Sequence, residues 1–482
     1  MNEKVSCLTP EVERREKTMG CFIASFAKRL PEDIRHIAFC SPVSFRDPET
    51  DNSFHPYMCR SISFSLLKEQ ILSLNQALLS GIIRFLRASF GSFFYIPNRD
   101  ATVLGIAPVI ICKPVGNRVE TSYCNSEDKE EIAWLLVDES YKEESRYPVS
   151  RVGIIRIFFK MMYFCFVISF LFKKKEDKLN DWGVASILTV RWIVSFRWVH
   201  MWIWGLKIRE ILDDMKPKKV YCLHEMHPHA RIAWSEATHQ NIPTITIQHA
   251  SITRTKLWYF PTREELAAGL STPDEIVVFS EKVQALLKPF FPVKTHFFLG
   301  CSSRFSHWKT VVSLTMKEKS KNAPILFAGS IPWWDNELIL QGIKRLLKET
   351  KRTRQILIRL HPNAKISKKW KKWIDRMLRN GELLVSDGHL FDSFTQSAAV
   401  IGVNSTVLEE GALMGLAVLV IKSNNYLSFA TCMGTHISLD QLTWEVIEEN
   451  IALAQKSRIE YIQQARIALG IDYPVFKINT KS

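Results

Sequence analysis

A chain of 482 residues with 46% hydrophobic and 23% charged residues has material for two or three ordinary domains, and its 19 glycines and 20 prolines exclude a low-complexity or collagen-like chain. The formal charge of +15 favours polyanionic neighbours such as lipid headgroups, nucleic acid or phosphate-bearing substrates. The ten cysteines include no CxxC pair and no metal-ligand spacing, which predicts reduced core thiols and no metal.

In chain order, the polar N-terminus MNEKVSCLTPEVERREK has no apolar core of a secretory signal. The first 150 residues are the least regular. SLLKEQILSLNQALLSGIIRFLRASF has helical spacing, TVLGIAPVIICKPV reads as a buried strand pair, and EIAWLLVDES as a strand or helix. The apolar run 161–172 is too short for a bilayer crossing of about 20 residues. Followed by Lys173, Lys174, Lys175 and Lys178, it predicts a helix lying in a membrane plane or buried between domains. Next, Trp182, Trp192, Trp198, Trp202 and Trp204 recur at helical spacing, as one or two helices with a bulky face, either core or interfacial.

From residue 218 the pattern becomes regular. KVYCLH, ITIQHA, EIVVFS and THFFLG read as strands, with ARIAWSEATHQ and EKVQALLKPF as helices between them. Residues 302–322 are polar and basic, as in a linker. PILFAGS then opens a second α/β unit with the helix NELILQGIKRLLKETKR. Short apolar runs at 355–360, 383–386, 398–403 and 417–421 alternate with helical stretches, as parallel strands do with crossover helices, and 444–469 is helical. Lys365, Lys368, Lys369, Lys371, Lys372, Arg376 and Arg379 cluster after 355–360, as a solvated helix face or a lipid-phosphate contact.

Ligands of such sheets bind beyond the carboxyl ends of the strands. There the sequence places His361, Asn363, Asp387, Asn404, Ser405 and Thr406 in the second unit, and His224, Glu225, His227 and His249 in the first. Glu225 or His227 is suited to removing a hydroxyl proton, and His249 to bonding an acceptor or phosphate. His361 can donate to a phosphate oxygen as charge develops on it. Asn404, Ser405 and Thr406 form a helix N-cap whose dipole favours an anion, and Glu410 is expected to face the crevice and bond ribose hydroxyls. Each has a structural alternative: core histidines, simple capping, or carboxylates favoured by the helix dipole.

IRLHPN, SDGHLFDSF and NSTVLEEGALMGLAVLVI together resemble the carboxyl-terminal half of GT-B glycosyltransferases. LHEMHPHARIAW and IPTITIQHA are similar to bacterial surface-carbohydrate and capsule biosynthesis proteins, and the pattern is also similar to CDP-glycerol glycerophosphotransferases and bacterial sialyltransferases. The acidic-acidic-Gly motif that such sialyltransferases carry in their first half is absent there.

The resemblance implies an α/β chain of two Rossmann-like domains facing a central cleft. The acceptor domain would span 1–300, with a helical insertion at 152–215, and 301–322 would be the linker. The donor domain would span 323–440, and 441–482 would form a terminal helix and tail. It implies metal-independent transfer of a sugar from a nucleotide-sugar donor, without a cofactor, to a glycan or lipid-linked acceptor. His361, Ser405 and Thr406 would then hold the donor phosphate and Glu410 the ribose. The expected location is cytoplasmic, peripheral on the inner, anionic membrane face, with no nucleic acid partner. UDP-N-acetylglucosamine 2-epimerases share the fold and supply an alternative; polyol-phosphate transfer and a non-catalytic polysaccharide-assembly module are others.

Overall fold

The computed structural model describes residues 10–45, 74–80, 82, 93–96, 101–108, 112–115, 118–121, 132–137, 154–173, 181–223, 226–248, 252, 254, 256–301, 320, 322–331, 333–362, 364, 366–422 and 434–474. They form two compact units, one built on Leu8–His249 and Lys256–Arg304, the other on Phe305–Pro474.

The first unit opens with helices α1 (Pro10–Ala27), α2 (Glu32–Ala38) and α3 (Pro42–Phe45). Strands β1 (Phe93–Ile96), β2 (Val103–Pro108) and β5 (Ile132–Val137) follow, with a separate antiparallel hairpin of β3 (Cys112–Val115) and β4 (Arg118–Thr121). Thus β2 and β3 are both strands, but they do not pair with each other; each finds its partner elsewhere. Helices α4 (Ile154–Lys173), α5 (Asp181–Val194) and α6 (Arg197–Met215) come next.

The regular part then runs β6 (Lys219–Leu223), α7 (Pro228–His239), β7 (Thr244–Ile247), α8 (Arg263–Ala267), β8 (Glu275–Val278), α9 (Glu281–Leu287) and β9 (His296–Leu299). The sheet order is β1-β5-β2-β6-β7-β8-β9, with β1 antiparallel to β5 and every other pair parallel. Val103, Ile132, Trp134, Tyr221, Ile245 and Val277 contribute to its core.

All five tryptophans of the α5–α6 stretch are buried, with Trp198 and Trp204 fully so. This corrects the interfacial alternative: their large apolar surface fills the interior, where Phe164 meets the Trp198 ring edge-on at 4.8 Å. Cys21, Cys40, Cys165, Cys222 and Cys301 are free thiols.

The second unit is β10 (Ile325–Ala328), α10 (Trp333–Leu346), β11 (Ile356–Arg359), α11 (Lys368–Arg379), β12 (Leu384–Val385), α12 (Leu390–Gln396), β13 (Ala399–Gly402), α13 (Thr406–Leu413), β14 (Ala417–Ile421), β15 (Thr435–Ile437), α14 (Trp444–Lys456) and α15 (Arg458–Ala468). Its sheet is parallel throughout, in the order β12-β11-β10-β13-β14-β15. β10, β13 and β14 are buried at every position, as strands covered on both faces must be, which explains why they contain no polar side chain. Helix α11 exposes its six cations and buries Ile374 and Met377. Among the described residues, no helix is long and apolar enough to cross a membrane.

Candidate functional site

Numbered along the chain, the second sheet has the strand order 3-2-1-4-5-6. The crossovers reverse direction between β10 and β13, and the crevice beyond that point is where open α/β sheets bind ligands. Two loops meet there. Ser330, just past β10, donates its hydroxyl to the Asn404 carbonyl oxygen, just past β13, at 2.8 Å. The buried Asn336 of α10 clamps the first loop: its Oδ1 accepts from Ser330 N at 3.0 Å, and its Nδ2 donates to the Ser330 carbonyl at 2.8 Å.

Between them Gly329 is tightly enclosed: a Cβ would lie 3.0 Å from Asn336 Oδ1 and 3.1 Å from Leu360 Cα, so a side chain there would press on both. Ser405 is the N-cap of α13, accepting from Val407 N at 3.3 Å, and Thr406 is the first helical residue. His361 stands half-buried past β11, the neighbour of β10 on the other side. At a strand spacing of about 4.8 Å, the loops carrying His361, Ser330 and Ser405 span roughly 10 Å.

The other expected residues of this unit are placed differently. Asp387 is exposed beyond β12, at the sheet edge. Arg359 braces that loop, donating to Ser386 Oγ at 3.1 Å and to the Gly388 carbonyl at 2.7 Å. Glu410 is 4% exposed and Glu409 2%, so their carboxylates lie inside the unit in place of the expected crevice-facing position. At the next residue, Gly411, a Cβ would lie 2.5 Å from Val400 on β13 and 3.6 Å from Phe394 on α12, so the helix packs closely on the sheet here. Asn363 lies outside the described residues.

The parallel strands of the first sheet run 2-1-3-4-5-6, with the reversal between β2 and β6. β6 therefore delivers its carboxyl end to the switch point. Beyond it Met226 adopts a left-handed φ of 59°, a conformation that costs an L-residue about 1–2 kcal/mol and recurs at functional turns. His227 follows as N-cap of α7, with Pro228 at the first helical position.

The half-buried His227 ring does not stand alone: its Nδ1 is 2.8 Å from Nδ1 of the buried His229, whose Nε2 is 3.2 Å from Nε2 of the buried His200 on α6. Trp204 Nε1 donates to the His229 carbonyl at 3.1 Å and fixes its backbone. Burial, then the neighbouring His227 and His200, hold the His229 pKa well below the usual histidine value. Among the described residues, no group of three or more His, Cys, Asp or Glu is arranged to hold a metal. Gln248, at the end of β7, is spent on structure, its Oε1 accepting from Phe279 N at 2.8 Å. His224, Glu225 and His249 lie outside the described residues.

Ser330, Asn336 and His200 are the site neighbours that sequence reading missed. The Gly-Ser ending PILFAGS carries the same signal as the other strand ends, whereas His200 had none, being 29 positions from its partner.

Solved structures of similar fold include the UDP-GlcNAc 2-epimerase of Neisseria meningitidis bound to UDP-GlcNAc, at 17% identity and TM-score 0.36, covering 56% of this chain and 77% of that one. The Methanocaldococcus jannaschii UDP-GlcNAc 2-epimerase in complex with UDP-GlcNAc and UDP is similar at 12% identity and TM-score 0.41, covering 73% and 92%. A TarM variant from S. aureus, in complex with Fondaparinux, alpha-GlcNAc-glycerol and UDP, is similar at 11% identity and TM-score 0.35, covering 57% and 56%. No protein-family profile matches the chain, and none of the curated proteins does. In fold the chain is α/β, with two Rossmann-like units, each built on a largely parallel sheet.

Proposed function

We propose that the protein is a metal-independent glycosyltransferase that moves a sugar from a nucleotide-activated donor, held by the second unit, to a hydroxyl acceptor held by the first. The observation that carries this reading is the bonded loop pair at the β10–β13 switch point, flanked by His361 and by the α13 start. His361, Ser405 and Thr406 contact the donor phosphates. Glu225 or His227 accepts the acceptor proton, and His361 with the α13 N-terminus balances charge on the departing nucleotide.

A thermal-shift series with UDP, CDP, CMP and GDP tests donor binding, since a ligand at about 100 times its Kd adds about 2.7 kcal/mol of stability. A rise in Tm with one nucleotide is the expected result, and no rise with any of the four would refute the reading. Nucleotide sugar isomerised without an acceptor would mark an epimerase instead.

The acceptor in this reading is lipid-linked or polymeric, and an anionic bilayer is the docking surface. Support comes from α4. Ile157, Phe164, Val167 and Ile168 are buried, yet Phe159 and Phe166 are 67% and 68% exposed, with Phe158, Met162 and Tyr163 beside them. Of the exposed described side chains from 156 to 168, all but Arg156 are aromatic or methionine, and the sequence continues Lys173-Lys174-Lys175. Such a face matches a helix lying in the headgroup region. Phe159→Ser with Phe166→Ser is expected to lower binding to phosphatidylcholine–phosphatidylglycerol vesicles at least tenfold in co-sedimentation, given about 1.5–3 kcal/mol per buried phenyl ring. Unchanged binding would exclude this face, and a change in sedimentation coefficient alone would point to a second copy of the chain.

A further inference from the structure

Helix α11 carries a charge pattern that its own unit does not use. At about 100° per residue, Lys368, Lys369, Lys371, Lys372, Arg376 and Arg379 fall within an arc of about 160°, and Asp375 is the one acid on that arc. All seven are exposed. The opposite arc holds Trp370, Trp373, Ile374, Met377 and Leu378, which pack into the core of the second unit. None of the six cations is ion-paired among the described residues. Glu337 of α10 approaches the helix on the tryptophan side, accepting from Trp370 Nε1 at 3.5 Å.

Such a face works against the helix that bears it. Four lysines stand in the first five residues, where the free N–H groups and the dipole favour carboxylates. The other described helices of the second unit obey that rule, with Asp335, Asp392, Glu409, Glu445 and Glu460 in their first turns. Lys368 and Lys372, and again Lys372 and Arg376, are like charges four residues apart, which repel across one turn. Ser367 caps the helix, accepting from Trp370 N at 3.4 Å, and apolar burial holds it to the core, so its stability does not come from the cations. A local cost with no gain inside the fold points to a use outside it.

We infer that the exposed face of α11 is an electrostatic docking surface for an anionic bilayer, its six cations lying over lipid phosphates. It rests on the bilayer reading given for α4 only in the kind of partner; the residues and the physics differ. α4 offers apolar side chains for insertion. α11 offers charge alone, which a plane of phosphates can match along the whole helix, about 18 Å for 12 residues. Single-stranded nucleic acid is a poorer match, because its bases stack on exposed rings and both tryptophans of α11 are packed against the core. A crossover helix between parallel strands starts at their carboxyl ends, so the four lysines lie at the end of the unit where His361 and the β10–β13 crevice stand. Docking there holds the crevice close to the headgroups, where a lipid-linked acceptor presents its hydroxyl.

The test separates charge from insertion. The full-length protein is co-sedimented with phosphatidylcholine vesicles, with and without phosphatidylglycerol. Lys368→Gln with Lys372→Gln is expected to lower binding to the anionic vesicles about 25-fold, because each cation near such a surface is worth about fivefold, or about 1 kcal/mol. Binding to phosphatidylcholine alone is expected to stay at the wild-type level, and Tm not to fall, since the two cations leave a helix start that disfavours them. Lys368→Arg with Lys372→Arg is expected to bind as wild type does. In wild type, the preference for anionic over neutral vesicles is expected to vanish at about 1 M salt, where the Debye length is about 3 Å. Phe159→Ser with Phe166→Ser behaves differently, lowering binding to both kinds of vesicle, so either face can fail without the other.

Anionic-vesicle binding unchanged in the glutamine pair overturns the inference, as does an anionic preference that survives about 1 M salt. So does a UDP thermal shift that shrinks in the glutamine pair while vesicle binding holds, which would assign these cations to the donor. Binding of a duplex oligonucleotide that is lost in the glutamine pair, with no preference for anionic vesicles, would make the partner nucleic acid instead.

Discussion

Replacing Arg231 by leucine is expected to lower the unfolding free energy of the first unit by about 3–5 kcal/mol, the usual cost of breaking a buried charged network by removing one partner. The guanidinium is 2% exposed and ties three elements together. Its NH1 donates to the Phe39 carbonyl at 2.9 Å and to Ser44 Oγ at 3.1 Å, and its NH2 donates to the Trp258 carbonyl at 3.0 Å. Ser44 passes the network on, donating to Oε1 of the fully buried Glu265 at 2.5 Å. Glu265 in turn closes a capping box on α8 with Thr262. Leucine would take away the donor that these oxygens now share. Arg231→Lys should rescue little, because one ammonium on a flexible stem cannot reproduce a planar fork aimed at three acceptors. Denaturant unfolding measures both variants, and a loss below about 1 kcal/mol in Arg231→Leu would show that water or rearrangement replaces the network.

The second large effect concerns the proposed transfer. His361→Ala is expected to reduce kcat by about 10²–10³-fold, the cost of removing one preorganised donor from developing negative charge. The fold should be untouched, since His361 is half-buried beyond the end of β11 and outside the apolar core of its sheet. Single-turnover transfer and donor hydrolysis are the measurements. A rise in KM at constant kcat would make His361 a ground-state contact, and unchanged turnover would remove it from the site.

The centre of the second sheet is legible because β10, β13 and β14 are buried on both faces, so each reads as an uninterrupted apolar run, whereas the edge strand β15, Thr-His-Ile, carries no such signal. The expected 417–421 coincides with β14, and 355–360 and 398–403 overrun β11 and β13 by one residue at each end. Pairing was not legible. TVLGIAPVIICKPV does contain two strands, yet β3 joins a separate hairpin, because alternation and β-propensity fix conformation and say nothing about partners. The segment 444–469 read as continuous helix, and the chain breaks it at Ser457 into α14 and α15.

The same limit governs the candidate site. His361 and Asn404–Thr406 could be placed because each directly follows a strand. The Ser330–Asn404 bond depends on strand 1 lying beside strand 4, and the His229–His200 bond on α6 lying along α7, which no local pattern encodes. Burial of Glu410 is equally hidden, since a Glu near a helix start reads alike whether it faces solvent or the sheet.

The β2–β6 pairing at the centre of the first sheet also bears on the expected order of folding. β6 registers Val220 against Leu104 and Cys222 against Ile106, although β5 and the helices α4, α5 and α6 intervene in the chain. Closing so long a loop carries an entropic cost that grows only slowly, about 0.6 kcal/mol per doubling, but it must be met before the central ladder stabilises anything. β5 pairs β2 across a much shorter stretch, and α4 and α5 are adjacent in both sequence and space. The β2–β5 pair and the tryptophan-lined helical layer are therefore expected to form before β6 through β9 are added, and the first unit to fold slowly for its size, which refolding kinetics of substitutions in β2 and β6 would check.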